Sequence, residues 1–114
     1  GMASLRHREK FNAALYYLAV GEGDVRARLR HAYTQLRRLR EDEVPAPLRA
    51  EWRSILNALT ARGPQRSSSG DIQKHALEHT LDRMRNTSGR RIAERIYAMV
   101  GHAEELLAVR WRGT

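Results

Sequence analysis

DIQKHALEHTLDRMRNTSGRRIAERIYAMVGHAEELLAVRWR, residues 71–112, is the stretch that decides the fold of this 114-residue chain. Apolar side chains recur along it at helical spacing, and at 100° per residue they fall within roughly 70° of one line. Such a stripe is typical of an amphipathic helix that buries one face. The stripe consists of Leu77, Leu81, Met84, Ile92, Ile96, Met99, Ala103, Leu106 and Leu107.

Four residues in this stretch, Asn86, Thr87, Ser88 and Gly89, interrupt the helix-favouring composition without changing the phase of the stripe. In a helix interior they cost together about 2–3 kcal/mol relative to alanine. A continuous helix of about 42 residues would be about 63 Å long, and its free end would need a second chain to cover it. One helix and two helices both stay open as alternatives, and we expect a break near residues 86–89.

Three shorter helices are predicted upstream, over about residues 5–20, 25–42 and 47–59. Gly21 and Gly23 form a turn before Asp24, an expected N-cap, and Pro45 and Pro47 end the second helix. The apolar stripes of these helices are, in turn, Phe11, Ala14, Leu15 and Leu18; Val25, Leu29, Ala32, Leu36 and Leu39; and Leu48, Trp52, Ile55, Leu56 and Leu59.

Residues 62–70 (RGPQRSSSG) predict a mobile surface loop, because glycine, proline and serine favour turns. Ser68 and Asp71 have capping-box spacing, so the last helical region is expected to begin near residue 69 or 70. No segment alternates apolar and polar residues between hairpin turns, which predicts no β-sheet. We therefore expect an all-α fold, an antiparallel bundle of four to five helices in a single domain over residues 2–114, with Gly1 as a tag remnant.

Composition limits the possible functions. The chain contains no cysteine, so disulfides and thiolate chemistry are excluded. No apolar run reaches the ~18 residues of a membrane span, and we expect a cytoplasmic protein without a membrane partner. The formal net charge is +8. A basic chain attracts phosphate polymers, although an arginine-rich composition can equally reflect a GC-rich genome.

The motif His75-Ala76-Leu77-Glu78-His79 matches the H-x-x-E-H pattern of inverted zinc peptidases. On a helix the two imidazoles would share a face and could bind one Zn²⁺, with Glu78 as the base for a bound water. No third ligand is positioned by the sequence, and both histidines lie away from the apolar stripe, towards solvent. We therefore expect no metal site, no cofactor and no enzyme.

Arginines form a stripe on the predicted second helix. Arg26, Arg30, Arg37 and Arg40 lie within about 80° of one another, with Tyr33 among them. Arginine side chains suit phosphate oxygens and an aromatic ring can stack on a base, so these residues are candidates for binding nucleic acid or another anion. Alternatively, the arginines form intrahelical ion pairs on a solvated face and Tyr33 packs at the rim of the core.

A second basic cluster, Arg83, Arg85, Arg90, Arg91 and Arg95, surrounds the expected break. If the chain turns there, these arginines gather at one end of the bundle. The leading hypothesis is a small non-enzymatic interaction or regulatory module that binds a protein partner or itself through apolar surface left uncovered by the short helices. The alternative is a nucleic-acid-binding protein that uses the basic face of the second helix.

Overall fold

The computed structural model describes residues 5–112 of the chain, and the side chains of residues 5–110. The expectations for Gly1 and for the ends of the domain lie outside these residues. Five α-helices dominate the structure and confirm the all-α class. They are α1 (Arg6–Val20), α2 (Val25–Leu36), α3 (Arg49–Leu59), α4 (Ala76–Arg83) and α5 (Asn86–Arg112). Two 3-10 helices (Glu41–Glu43 and Ala46–Leu48) precede α3, and two short strands, β1 (Gln65–Arg66) and β2 (Ile72–Lys74), precede α4.

Helix α2 begins as predicted and ends six residues early. The Asp24 carboxylate caps it by accepting a hydrogen bond from the Ala27 backbone N–H at 3.1 Å. The helix ends at Leu36, whereas the sequence predicted that it would continue to about residue 42. The Trp52 indole donates to the Leu36 carbonyl at 3.0 Å, so a side chain from α3 satisfies a carbonyl of the last turn. The chain then turns, and Leu39 is buried in the core.

The predicted apolar stripes meet in one core. Trp52 is buried there, together with residues from all five helices and from the connection before α3. Leu15, Leu18, Leu77 and Met84 are only half-buried at its edge. The buried members are Phe11, Ala14, Leu29, Ala32, Leu36, Leu39, Val44, Leu48, Trp52, Ile55, Leu59, Leu81, Ile92, Ile96, Met99, Val100 and Ala103.

The expectation of no β-sheet is wrong, because β1 and β2 pair antiparallel, Gln65 with Lys74 and Arg66 with Ile72. The turn between them uses Gly70 at a φ of +92°, a conformation that favours glycine. Asp71 does not start a helix: its backbone N–H donates to the Ser67 hydroxyl at 3.2 Å, inside this turn. The last helical region therefore starts at Ala76, later than predicted. Strands of two and three residues are too short to show an alternating pattern.

The long C-terminal region is broken, as expected, and the break lies just before the four predicted residues. Met84 is extended, with φ −82° and ψ +137°, and α4 ends there. Residues 86–89 form the first turn of α5, and the Gly89 N–H donates to the Arg85 carbonyl at 3.0 Å. Arg26 of α2 donates to the Met84 carbonyl at 3.2 Å. This bond gives a partner to a carbonyl that lies between α4 and α5 and belongs to neither helix.

Helix α5 crosses the other helices along its length. A Cβ added at Gly89 would lie 3.0 Å from Val25 Cγ1 and 3.4 Å from Leu29 Cδ1, so α5 approaches α2 closely there. Further along, α5 runs antiparallel to α1, since Arg8 pairs with Glu104 while Leu18 lies near Ala93. Between residues 5 and 112, no helix is long and apolar enough to cross a membrane.

Replacing each of two α5 glycines by glutamine tests the close approach to α2. Space around an added Cβ is open at Gly101, so Gly101→Gln should raise the free energy of unfolding by about 0.5–1 kcal/mol through helix propensity. Gly89→Gln should lower it by about 1–3 kcal/mol because the side chain overpacks against Val25 and Leu29. Urea denaturation measures both. Equal stability of the two variants would contradict the packing.

The ion pair between Glu51 of α3 and Arg95 of α5 predicts an acid-sensitive contact. The hydrogen bond from the Arg95 guanidinium, 2.7 Å from Glu51 Oε1, lowers the pKa of Glu51. Because the folded pKa lies below the unfolded one, the stabilisation is complete above about pH 5 and is lost as the pH falls through the folded pKa.

We therefore expect Glu51→Gln to lower the melting temperature at pH 7 and to have a smaller effect at pH 3. Glu105→Gln is the matched control, because Glu105 is exposed and forms no ion pair within the described residues. A Glu51→Gln effect of the same size at both pH values would rule out the pair as the cause.

Candidate functional site

The first two arginines of the predicted α2 stripe are engaged in the fold. Arg26 binds the Asp24 carboxylate through two nitrogens, at 3.1 and 3.0 Å, and also the Met84 carbonyl. The backbone N–H of Ala27 and the Arg26 guanidinium lower the pKa of Asp24. Arg30 pairs with Glu78 of α4. Both guanidinium groups therefore join α2 to its neighbours.

Arg37 and Arg40 do not continue the helical face of Arg26 and Arg30, because α2 ends at Leu36. Arg37 is the exposed C-cap residue. Arg40 lies beyond the helix, and its Nε donates to Asp42 at 3.2 Å. Tyr33 is half-buried and packs against the core. The structure thus divides the stripe between a helix, its cap and a following turn.

The second basic cluster does gather at the α4–α5 junction. Arg83, Arg85, Arg90 and Arg91 are exposed, and none of their guanidinium groups has a hydrogen bond or ion pair with any residue from 5 to 110. Arg95 separates from the group and pairs with Glu51. We call these four residues the junction arginines. Their positive charge lies beside the break between α4 and α5, where Arg26 donates a hydrogen bond to the Met84 carbonyl.

The H-x-x-E-H residues do not converge. His75 is the extended N-cap residue of α4 and its carbonyl accepts from the His79 N–H at 3.0 Å, so of the two histidines only His79 lies within the helix. Glu78 is paired with Arg30. The expectation that His79 points into solvent is wrong: it is half-buried, and its Nδ1 lies 2.9 Å from the Gly63 carbonyl of the loop. Within the described part of the chain, no group of three acidic or histidine side chains could hold a metal ion.

An apolar groove lies between α1 and α5. It has a volume of about 320 Å³ and is lined by Leu15, Leu18, Ala19, Ala93 and Tyr97. The Tyr97 side chain is 70% exposed. We call this surface the α1–α5 groove.

A second concave site contains a residue that the sequence patterns did not single out. His7 is 4% exposed, and neither ring nitrogen has a hydrogen-bond partner among residues 5–110. Leaving a buried polar group without a partner costs about 1–3 kcal/mol. The ring packs edge-on against Phe11, with 5.5 Å between centroids, and lines a cavity of about 300 Å³. The sequence contained one signal for its burial: His7 lies four residues before Phe11, on the buried face of α1.

Comparisons with known proteins add no family to this description. No protein-family model, curated protein or solved structure matches the chain. Its function is inferred below from the arrangement of its own side chains.

Proposed function

We propose that this chain is a non-enzymatic helical module that binds an amphipathic, acidic helix of a partner protein in the α1–α5 groove. The observation that carries the proposal is a groove whose lining is entirely apolar or aromatic and in which Tyr97 is 70% exposed. Exposed apolar surface next to a concave site is typical of protein interaction. Two antiparallel helices also form a groove into which a third helix can pack its apolar face.

The charge of the chain supports an acidic occupant. The net charge of +8 attracts an acidic partner and repels a second copy of the same chain. Arg90 lies within about 20° of Tyr97 around α5, and Arg28 bonds the Leu18 carbonyl at the same end of the groove. Glu94 follows Ala93 on α5, so the excess of positive charge beside the groove is small. The net charge of the whole chain therefore provides most of the long-range attraction.

The proposal is non-enzymatic because the motif with catalytic chemistry is engaged in structural contacts. Glu78 pairs with Arg30, and His79 bonds the Gly63 carbonyl. His79 keeps Nε2 as a proton acceptor, but within the described residues neither side chain belongs to a group of three acidic or histidine side chains that could hold a metal ion. Each of these two side chains instead joins α4 to a neighbouring segment.

A designed peptide tests the groove. The probe is a labelled helical peptide with leucine at positions i, i+3, i+4 and i+7 of each repeat and glutamate on the flanks. Ala19→Asp places a charge in the groove, whereas Ala98→Asp makes the same change on an exposed part of α5 outside it. Both variants lower the net charge by one. We expect Ala19→Asp to raise the Kd at least tenfold, about 1.4 kcal/mol, and Ala98→Asp to change it less than twofold.

Two further measurements separate the possible occupants. A peptide with lysine in place of glutamate should bind at least tenfold more weakly, and equal binding would contradict the acidic partner. Light scattering after size exclusion reports self-association. A concentration-dependent dimer that Ala19→Asp abolishes would assign the groove to a second copy of the chain.

Nucleic-acid binding is the second candidate function, and the junction arginines favour it. Four exposed guanidinium groups within nine residues, without carboxylate partners among the described residues, offer several phosphate contacts. The α2 stripe is a weaker support, since Arg26, Arg30 and Arg40 already pair with Asp24, Glu78 and Asp42.

Fluorescence anisotropy with a labelled single-stranded oligonucleotide, at 50 and 200 mM salt, tests this candidate. Arg90→Glu combined with Arg91→Glu should weaken binding at least tenfold at 50 mM salt and reduce the salt slope by about two. Arg37→Glu combined with Arg38→Glu makes the same charge change at the C-terminal end of α2 and should have a smaller effect. A larger loss from the α2 pair would place the contact there, and no binding at 50 mM salt would exclude the candidate.

A further inference from the structure

We propose that the cavity beside His7 binds a small anionic amphiphile, with its apolar body inside and its carboxylate at the rim. The cavity lies between the start of α1, the connection before α3 and the C-terminal half of α5. It is separate from the α1–α5 groove, and the two share no lining residue. This proposal therefore stands independently of the protein-docking function.

The interior of the cavity suits an apolar body. Val44, Pro45, Ala103, Leu106 and Leu107 are among its lining residues. Its volume of about 300 Å³ lies at the lower end of the range for small-molecule pockets. Such sites combine mostly apolar walls with a few polar groups that orient the ligand, and His7 is a polar group of this kind.

His7 is the observation that points to a ligand. An imidazole has one donor and one acceptor when neutral, and buried polar groups in folded proteins nearly always have partners. Both nitrogens of His7 lack one within the described part of the chain and are shielded from solvent, although the ring lines the cavity. A polar atom held in the cavity can supply the missing hydrogen bond after a small rotation of the ring.

The charges at the rim select an anionic head group. The two acidic lining residues are already neutralised: Glu43 accepts from the Arg40 backbone N–H at 2.8 Å and pairs with Arg6, while Asp42 pairs with Arg40. The two basic lining residues retain free donors. Among the described residues, the Arg49 side chain bonds only through its Nε, which donates to the Val44 carbonyl at 2.8 Å.

Arg110 is the other basic residue at the rim, and it is exposed. Its guanidinium group has no hydrogen bond or ion pair with any side chain or backbone group from 5 to 110. Since His7, Arg49 and Arg110 line one small cavity, the two oxygens of a single carboxylate can accept from the imidazole and from a guanidinium.

Isothermal titration calorimetry with three ten-carbon ligands tests the class of ligand. Decanoate is the probe, and decanol and decyltrimethylammonium have the same chain with a neutral and a cationic head group. We expect decanoate to bind with a stoichiometry of one, below its micellar concentration, and the other two to bind at least tenfold more weakly. Equal affinity of decanol would overturn the anionic head group, and absence of saturable decanoate binding would overturn the site.

Variants locate the binding. Ala46→Trp fills the cavity from an exposed lining position, and Ala50→Trp adds the same side chain at an exposed α3 position outside it. We expect Ala46→Trp to abolish decanoate binding and Ala50→Trp to leave it within twofold. Binding unchanged by Ala46→Trp, or lost equally in both variants, would overturn the location.

The role of His7 has its own test. His7→Leu replaces the imidazole by an apolar side chain of similar size. Because this change removes the unpartnered nitrogens, the variant should fold at least as stably as the parent. It should weaken decanoate at least fivefold, and in the parent protein the His7 ring resonances should shift during the titration and saturate at one equivalent of decanoate. Unchanged affinity together with unshifted His7 resonances would show that the imidazole does not contact the ligand.

Discussion

The close approach of α5 to α2 at Gly89 is the contact that positions the C-terminal half of the molecule. A side chain at this point would press on Val25 and Leu29, so glycine lets the first turn of α5 lie directly on α2 without displacing them. The extended Met84 just before it, with its carbonyl bound by Arg26, sets where α5 begins. From that start the register of α5 follows, and with it both concave surfaces: Ala93 and Tyr97 face α1, and Ala103 and Leu107 face His7.

The fold also separates the arginines that it uses from those that it leaves exposed. Arg26, Arg30 and Arg95 connect helices through Asp24, Glu78 and Glu51. The junction arginines have no such role among the described contacts and remain available to a partner. A net charge of +8 thus does not imply a single basic face. Ion pairs between helices neutralise some arginines, and only the unpaired ones present positive charge to a ligand. For this reason the α1–α5 groove is the better support for function.

The core was predictable to a large extent, and the reason is visible in particular residues. Leu29, Ala32 and Leu36 recur at helical spacing and are fully buried, and Ile92, Ile96 and Met99 repeat the pattern in α5. Periodicity reports which side of a helix is apolar, and burial follows from it. The presence of a break in the C-terminal region was also predictable, but not its position: residues 86–89, whose low helix propensity suggested it, form the first turn of α5, and the chain is extended at Met84. The hairpin was not predictable, because two- and three-residue strands depend on the turn at residues 67–71 and not on alternation.

The amino-acid sequence by itself therefore determined the helices, their buried faces and the presence of a break, since these depend on local propensity and on spacing along the chain. Only the tertiary structure decided where α2 ends, because the Trp52 indole reaches its last turn from sixteen residues away. It alone also decided that Arg26 and Arg30 are paired, that His79 packs on the loop, and that His7 is buried beside a cavity. These outcomes depend on which helices come together, a property of long-range packing that no local pattern contains.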